Sequence, residues 1–280
     1  MRTRRFIIAS ALAAASAPGA FAQAGLEARL AEIERPLRGR MGVAWLGPSG
    51  EVRASQRGDE RFLMCSTFKV FLAAAVLRAG KTGALRWTAD DLISNSPVLA
   101  AQPQGGAMER RELCRAAVTM SDNTAANLLL SDIGGPLALT DYVRSLGDQV
   151  TRHDRMELEL NIREFADDVR DTSTPLAFVR TLRRVIGGGG LPAVEAGQLA
   201  HWMIETQNQP NRLRAGLPRD WEVGVKPGTN TDYACNDVGF FTRPGGQRQF
   251  LAVFIHAPDV PHARREAAIA DVARAVAAAA

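Results

Sequence analysis

Leu26, Leu30, Ile33 and Leu37 recur every three or four residues near the start of the chain. That period lays one apolar stripe along a helix, so it predicts an amphipathic helix over residues 24–35, with Pro36 near its end. The period then shortens. Met41 to Leu46 and Glu51 to Gln56 flank Gly47-Pro48-Ser49-Gly50 and read as a β-hairpin. From residue 66 to about 212 the apolar spacing is mainly helical, interrupted by turn-rich stretches at 94–106, 131–136 and 186–192. Strand patterns return at Glu222 to Thr229, Val238 to Thr242 and Gln247 to His256, the last two joined by Arg243-Pro244-Gly245-Gly246. Pro261 to Ala279 is an alanine-rich closing helix.

Strands at both ends with helices between them predict an α+β fold. One antiparallel five-stranded sheet is built from the two chain ends and flanked by helices. A mostly helical domain is inserted between its halves. The expected sheet domain takes residues 23–60 and 213–280, and the all-α domain takes 61–212. A cleft is expected where they meet, the usual place for a site.

Composition adds two points. The net charge of +4 includes Arg2, Arg4 and Arg5; without them 31 basic residues face 30 acidic ones, so the charge is no argument for nucleic acid. Those arginines open a leader. A basic start, a mostly apolar run from Phe6 to Ala15 and the small-x-small site Ala20-Phe21-Ala22 mark residues 1–22 as a signal peptide. The expected location is therefore outside the cytoplasm, in the periplasm, by the Sec or the twin-arginine route. No other stretch is long and apolar enough to span a membrane.

Three cysteines leave at least one unpaired, and the four histidines lack metal-ligand spacing, so no metal or cofactor is expected. Cys235 opens the strand after Asn230, where a tight hairpin would bring it towards Cys65; these two are the candidate disulfide.

The candidate chemistry begins at Met64-Cys65-Ser66-Thr67-Phe68-Lys69, which leads into an apolar helical run. Ser66 and Lys69 share one helix face, placing an amine beside a hydroxyl that needs a base to become a nucleophile. Alone, the pair is better read as an N-cap and a solvated lysine. The chain holds 34 Lys and Arg, yet its lysines are only Lys69, Lys81 and Lys226. A titratable amine has thus been kept here in a chain that otherwise uses arginine. Ser121-Asp122-Asn123 reads as a helix cap, or as a proton relay with an amide able to hold both a lysine and a substrate carbonyl. Asp122 in the middle would brace the loop. Glu157 and Asn161, four apart, could hold one water for a carboxylate base. Arg155 paired with Asp171 would close an Ω-like loop of 15 intervening residues. Lys226-Pro227-Gly228-Thr229 puts a lysine on a strand beside a glycine that allows close approach. Lys81-Thr82-Gly83, following Gly80, is a helix C-cap turn rather than a site.

Taken together and in this order, these motifs resemble those of the class A serine β-lactamases. The similarity runs from the hairpin at 41 to the last helix. It implies Ser66 as nucleophile, with Lys69, or Glu157 through a water, as base. It implies Ser121 as the donor to the leaving nitrogen, and the N–H groups of Ser66 and Thr229 as oxyanion hole. Asn123 would bind substrate, Glu157 and Asn161 would hold the deacylating water, and Lys226 with Gly228 and Thr229 would line the carboxylate end. Arg212 is the expected carboxylate arginine, with Arg265 second. The expected substrate is a small-molecule β-lactam, and the expected enzyme a monomer. Departures are Pro227, where the family has Thr or Ser, Leu158 after Glu157, and Asn95 where many members have an aromatic. Alternatives from the same motifs are a penicillin-binding peptidase, which lacks the deacylating carboxylate, and a sensor that acylates without turnover.

Overall fold

The computed structural model describes residues 18–103 and 105–280. Residues 1–17, which carry the charged and apolar parts of the expected leader, lie outside the described residues. The first helix, α1 (Pro18–Glu34), starts earlier than its apolar stripe and takes in Ala20 to Ala22.

In chain order follow β1 (Arg40–Leu46), β2 (Val52–Gln56), β3 (Phe62–Leu63), α2 (Lys69–Ala79), β4 (Ala84–Trp87) and β5 (Gly106–Glu109). Then come α3 (Arg110–Thr119), α4 (Asn123–Ile133), α5 (Pro136–Ser145), β6 (Thr172–Ser173), α6 (Pro175–Gly187), α7 (Ala193–Glu205) and α8 (Leu213–Gly216). The chain closes with β7 (Glu222–Asn230), β8 (Ala234–Thr242), β9 (Gln249–His256) and α9 (His262–Ala279). Five strands form one antiparallel sheet in the order β2-β1-β9-β8-β7. Both chain ends therefore meet in its middle, where Arg40 to Leu46 runs against His256 to Phe250.

Both faces of the sheet are covered, which explains why its central strands read as nearly continuous apolar runs. On β9, Leu251, Val253 and Ile255 pack with Leu30, Ile33, Ile269 and Val272 of α1 and α9. The alternate residues Phe250, Ala252 and Phe254 face α2 and α6. There Phe178 lies tilted against Phe71, ring centres 4.5 Å apart, and meets Phe254 edge-on at 5.5 Å. Period-two alternation sends each side chain into a different core. Full burial of such a side chain contributes about 1.5–3 kcal/mol.

Two short strand pairs fall in the region whose spacing predicts helix. β3 pairs with β6, and β4 with β5. The first ties the segment before Ser66 to the end of the Ω-like loop. α2 sits at the centre and is buried from Lys69 to Val76, so its sequence is apolar all round rather than on one stripe. Among the described residues, no helix is long and apolar enough to cross a membrane.

Candidate active site

The residues Cys65–Phe68 form a single 3-10 turn that leads directly into α2 at Lys69. The turn is held by Asn236, whose Nδ2 donates to the carbonyls of Leu63 and Met64 at 2.8 and 3.1 Å. β7 packs against it so closely that a Cβ on Gly228 would lie 2.6 Å from the Met64 carbonyl and 3.0 Å from the Thr67 nitrogen. Only glycine fits, and this is the physical basis of the Lys-x-Gly pattern. Ser66 is half-buried on the cleft wall, with its Oγ 3.1 Å from Lys69 Nζ.

Lys69 is fully buried and is the hub of the site. Its Nζ donates to Asn123 Oδ1 at 2.5 Å and to the Ser121 carbonyl at 2.8 Å, lies 3.4 Å from Ser121 Oγ, and sits 3.0 Å from Glu157 Oε1. Burial pushes its pKa below the usual lysine value, against the opposing pull of Glu157. Lys226, also buried, donates to Ser121 Oγ at 3.1 Å. Burial, and then the charge of Lys69, hold it well below the ordinary lysine value. Ser66, Lys69, Ser121 and Lys226 thus form one continuous path for a proton. An amine whose charged form is disfavoured can take a proton from a hydroxyl, which an arginine cannot.

Asp122 caps α4, accepting the Ala125 N–H at 2.8 Å, and its other oxygen accepts the N–H groups of Val98 and Leu99 at 2.9 and 3.1 Å. It braces the loop that presents Ser121 and makes no bond to the reacting groups.

Glu157 is fixed from both sides. Asn127 pins its backbone, accepting the Glu157 N–H at 2.9 Å and donating to its carbonyl at 2.9 Å. The following peptide bond to Leu158 is cis. The carboxylate receives Asn161 Nδ2 at 2.6 Å, and its Oε1 is 3.5 Å from Ser66 Oγ. The Oδ1 of Asn161 is buried with no protein partner. At the loop base, Arg155 Nε meets Asp171 at 2.7 Å, and the same carboxylate accepts the N–H groups of Asp154 and Arg155. Asn127 is missing from the motif reading. The signal for it is its position four residues after Asn123, on the same face of α4.

The far end of the cleft carries positive charge. Arg212, fully buried, bonds Glu266 at 3.1 Å, the carbonyls of Gly228 and Asn236 at 3.1 and 2.9 Å, and Thr229 Oγ1 at 2.8 Å. Arg265 instead reaches the Thr231 carbonyl from α9, so the two candidates separate. Beside Arg212 lies Asp237, whose carboxyl burial pushes up to about 7. The cleft, about 640 Å³, is lined by Ser66, Ser121, Asn123, Asn161, Pro227 and Thr229, with Asn95 and Asn230 on its rim. Lys69, Glu157, Lys226, Gly228 and Arg212 stand behind that lining and within bonding distance of it. A cavity of similar size, about 660 Å³, lies among α2, α3 and α7 and holds none of the motif residues.

One expectation needs correction. Cys65 and Cys235 are not bridged; these and Cys114 are buried free thiols. Cys235 belongs to the core under α9, whereas Cys65 packs with Leu63 and Ala234, so the hairpin does not bring the two sulfurs into a bond. Lys81, in the turn that ends α2, caps α4 with its ammonium on the Asp132 carbonyl at 2.8 Å.

A buried amine beside a serine hydroxyl, a hydrogen-bonded carboxylate on the other side and a cationic far wall describe a serine acyl-transfer hydrolase for anionic substrates. Comparison with known proteins narrows the class. The family model of the β-lactamase enzyme family matches residues 25–280. The β-lactamase L2 of Stenotrophomonas maltophilia is 43% identical over 252 residues, 87% of this chain and 82% of that protein. Among solved structures, an ancestral class A β-lactamase superposes with a TM-score of 0.87 at 45% identity, covering 91% of this chain and 100% of the other. A β-lactamase from Xanthomonas campestris gives 0.88 at 41%, covering 92% and 98%. The chain belongs to the β-lactamase enzyme family, in class A.

Proposed function

We propose that this protein hydrolyses β-lactams through an acyl-enzyme on Ser66. The Oγ of Ser66 attacks the lactam carbonyl as its proton leaves to Lys69, 3.1 Å away, or through a water to Glu157. The carbonyl oxygen becomes an oxyanion held by the N–H groups of Ser66 and Thr229. As the C–N bond breaks, Ser121 gives its proton to the leaving nitrogen and is resupplied along the Lys69–Lys226 path. Glu157 and Asn161 then hold and deprotonate the water that attacks the ester, and Ser66 is released with its proton restored. Lys226, Arg212 and Thr229 attract the substrate carboxylate, with Asn123 on the substrate amide.

The single observation that carries this reading is Glu157, 3.0 Å from Lys69 Nζ and 3.5 Å from Ser66 Oγ. A penicillin-binding peptidase or a sensor that stops at the ester needs no carboxylate there. Residues 1–22 serve export to the periplasm, by the Sec or twin-arginine route, and the mature enzyme acts as a monomer. Residues 61–212 are read as a unit inserted into the sheet domain. Steady-state hydrolysis of a chromogenic cephalosporin by the purified protein tests the proposal. Multiple turnovers per molecule are expected, and a single stoichiometric burst would overturn it in favour of the sensor.

A further inference from the structure

The Ω-like loop is largely self-contained beyond Asn161. Its ion pairs run from Arg155 and Arg170 to Glu164 and from Arg170 to Asp168, all within the loop or at its base. Ile162, Phe165 and Val169 are exposed rather than packed into a core. Apart from the Thr172 hydroxyl on the Val169 carbonyl at the loop's own end, the hydrogen bonds among the described residues that tie 161–170 to residues outside the loop go to the end of β7 and the turn that follows it. Tyr233 Oη accepts the Arg163 N–H at 2.9 Å and donates to the Asn161 carbonyl at 2.8 Å. Asn230 Nδ2 donates to that same carbonyl at 3.0 Å.

Tyr233 is itself held firmly. Its ring packs over Leu63, Cys65 and Ala234 and lies 5.3 Å from the His256 ring. Its carbonyl accepts the Ala257 N–H at 2.9 Å. Asn230 is braced too, because its Oδ1 accepts the N–H groups of Asp232 and Tyr233 at 2.9 and 3.4 Å. The sheet thus grips the backbone of the residue whose side chain holds Glu157 at 2.6 Å. Burial raises the phenol's pKa, which keeps its proton on the oxygen for donation.

We infer that Tyr233, assisted by Asn230, is a positioning residue for deacylation, clamping Asn161 so that Glu157 and Asn161 address the attacking water together. The inference rests on the hydrolytic reading above. Neither residue bonds to Ser66, Lys69, Ser121 or Lys226, and with Lys69, 3.1 Å from the Ser66 hydroxyl, as the acylation base the first half of the reaction does not depend on the clamp. In an acyl-enzyme scheme, kcat/KM reports steps up to acylation, and the decay of the ester reports deacylation alone.

The test compares the wild type with Tyr233→Phe, which keeps the ring and loses both hydroxyl bonds. Each is mixed with a penicillin, freed of excess substrate and followed by intact mass as the adduct decays. A misplacement of about 1 Å in a reacting group costs up to about a hundredfold. Adduct decay in Tyr233→Phe should therefore slow by roughly five- to fiftyfold, with kcat/KM within about twofold of wild type. Asn230→Ala should slow adduct decay to a smaller degree, and the double variant should be the slowest to decay. Decay at the wild-type rate would overturn the inference. So would a parallel loss of kcat/KM and thermal stability, which would make Tyr233 a general packing residue. A wild type that neither forms an adduct nor consumes the penicillin would instead overturn the hydrolytic reading itself.

Discussion

Replacing Pro227 by threonine should improve the enzyme. β7 is an edge strand, paired only with β8, and Pro227 sits opposite Asp237 in that register. Proline lacks an N–H, and a sheet tolerates it where that group would face an open edge. Pro227 and Thr229 lie two apart and both line the cleft, so a side chain at 227 shares the face of the Thr229 hydroxyl. That hydroxyl is already bonded by Arg212 at 2.8 Å, and Lys226 donates to the Pro227 carbonyl at 3.1 Å. The anion end therefore has two cations but one hydroxyl fewer than a threonine would supply. A hydrogen bond to a charged group is worth about 1.5–3 kcal/mol, or between about ten- and a hundredfold in affinity. Pro227→Thr should raise kcat/KM for penicillins within that range and leave the melting temperature unchanged. The methyl ester of the same penicillin, which carries no anion, should show no gain. No gain on the acid in a well-folded variant, or an equal gain on the ester, would refute the reasoning.

Three further outcomes follow from particular contacts. Asp171→Ala removes a carboxylate that accepts two backbone N–H groups and Arg155 Nε, leaving a largely buried guanidinium with only the longer 3.4 Å contact to the exposed Glu164 as an ion pair, and should lower unfolding free energy by about 3 kcal/mol in chemical denaturation. Asp237 has a folded-state pKa raised to about 7, so its contribution is fully present below about pH 4 and is lost as pH rises towards 7. Asp237→Asn should therefore gain on the wild type across that window, by at most about 4 kcal/mol, and the difference should level off at higher pH; a flat difference contradicts it. Thiol counting on denatured, non-reduced protein should find three free thiols, matching the unbridged Cys65, Cys114 and Cys235, whereas a count of one would mean that a bridge forms.

Much of the fold was legible because the apolar period changes where the elements change. The hairpin at β1 and β2, the sheet built from both ends and the closing helix all follow from it. β8 begins at Ala234, four residues before its apolar run, because Asn236 and Asp237 look like loop. They are buried polar residues whose partners, the Leu63 and Met64 carbonyls and the Leu213 N–H, are remote in sequence. β3, β4, β5 and β6 escaped because two to four residues are too few to show a period. In the site, motif spacing pointed to Ser66, Lys69, Ser121, Glu157 and Lys226, which the fold brings together through side-chain contacts. Asn127 carried only the weak signal of its place one turn after Asn123, and Tyr233 was not legible. Each acts through an N–H and a carbonyl of a loop distant in sequence, and such bonds leave no motif in the chain that makes them.

The central claim is a division of labour between Ser66, which forms the ester, and Glu157, which clears it. Intact-mass spectrometry after mixing with a penicillin tests it on the wild type, Ser66→Ala and Glu157→Gln together. Ser66→Ala should never gain the mass of the penicillin, and Glu157→Gln should gain it and hold it while the wild type gains and loses it. An adduct on Ser66→Ala, or a Glu157→Gln enzyme that turns over at the wild-type rate, would contradict it.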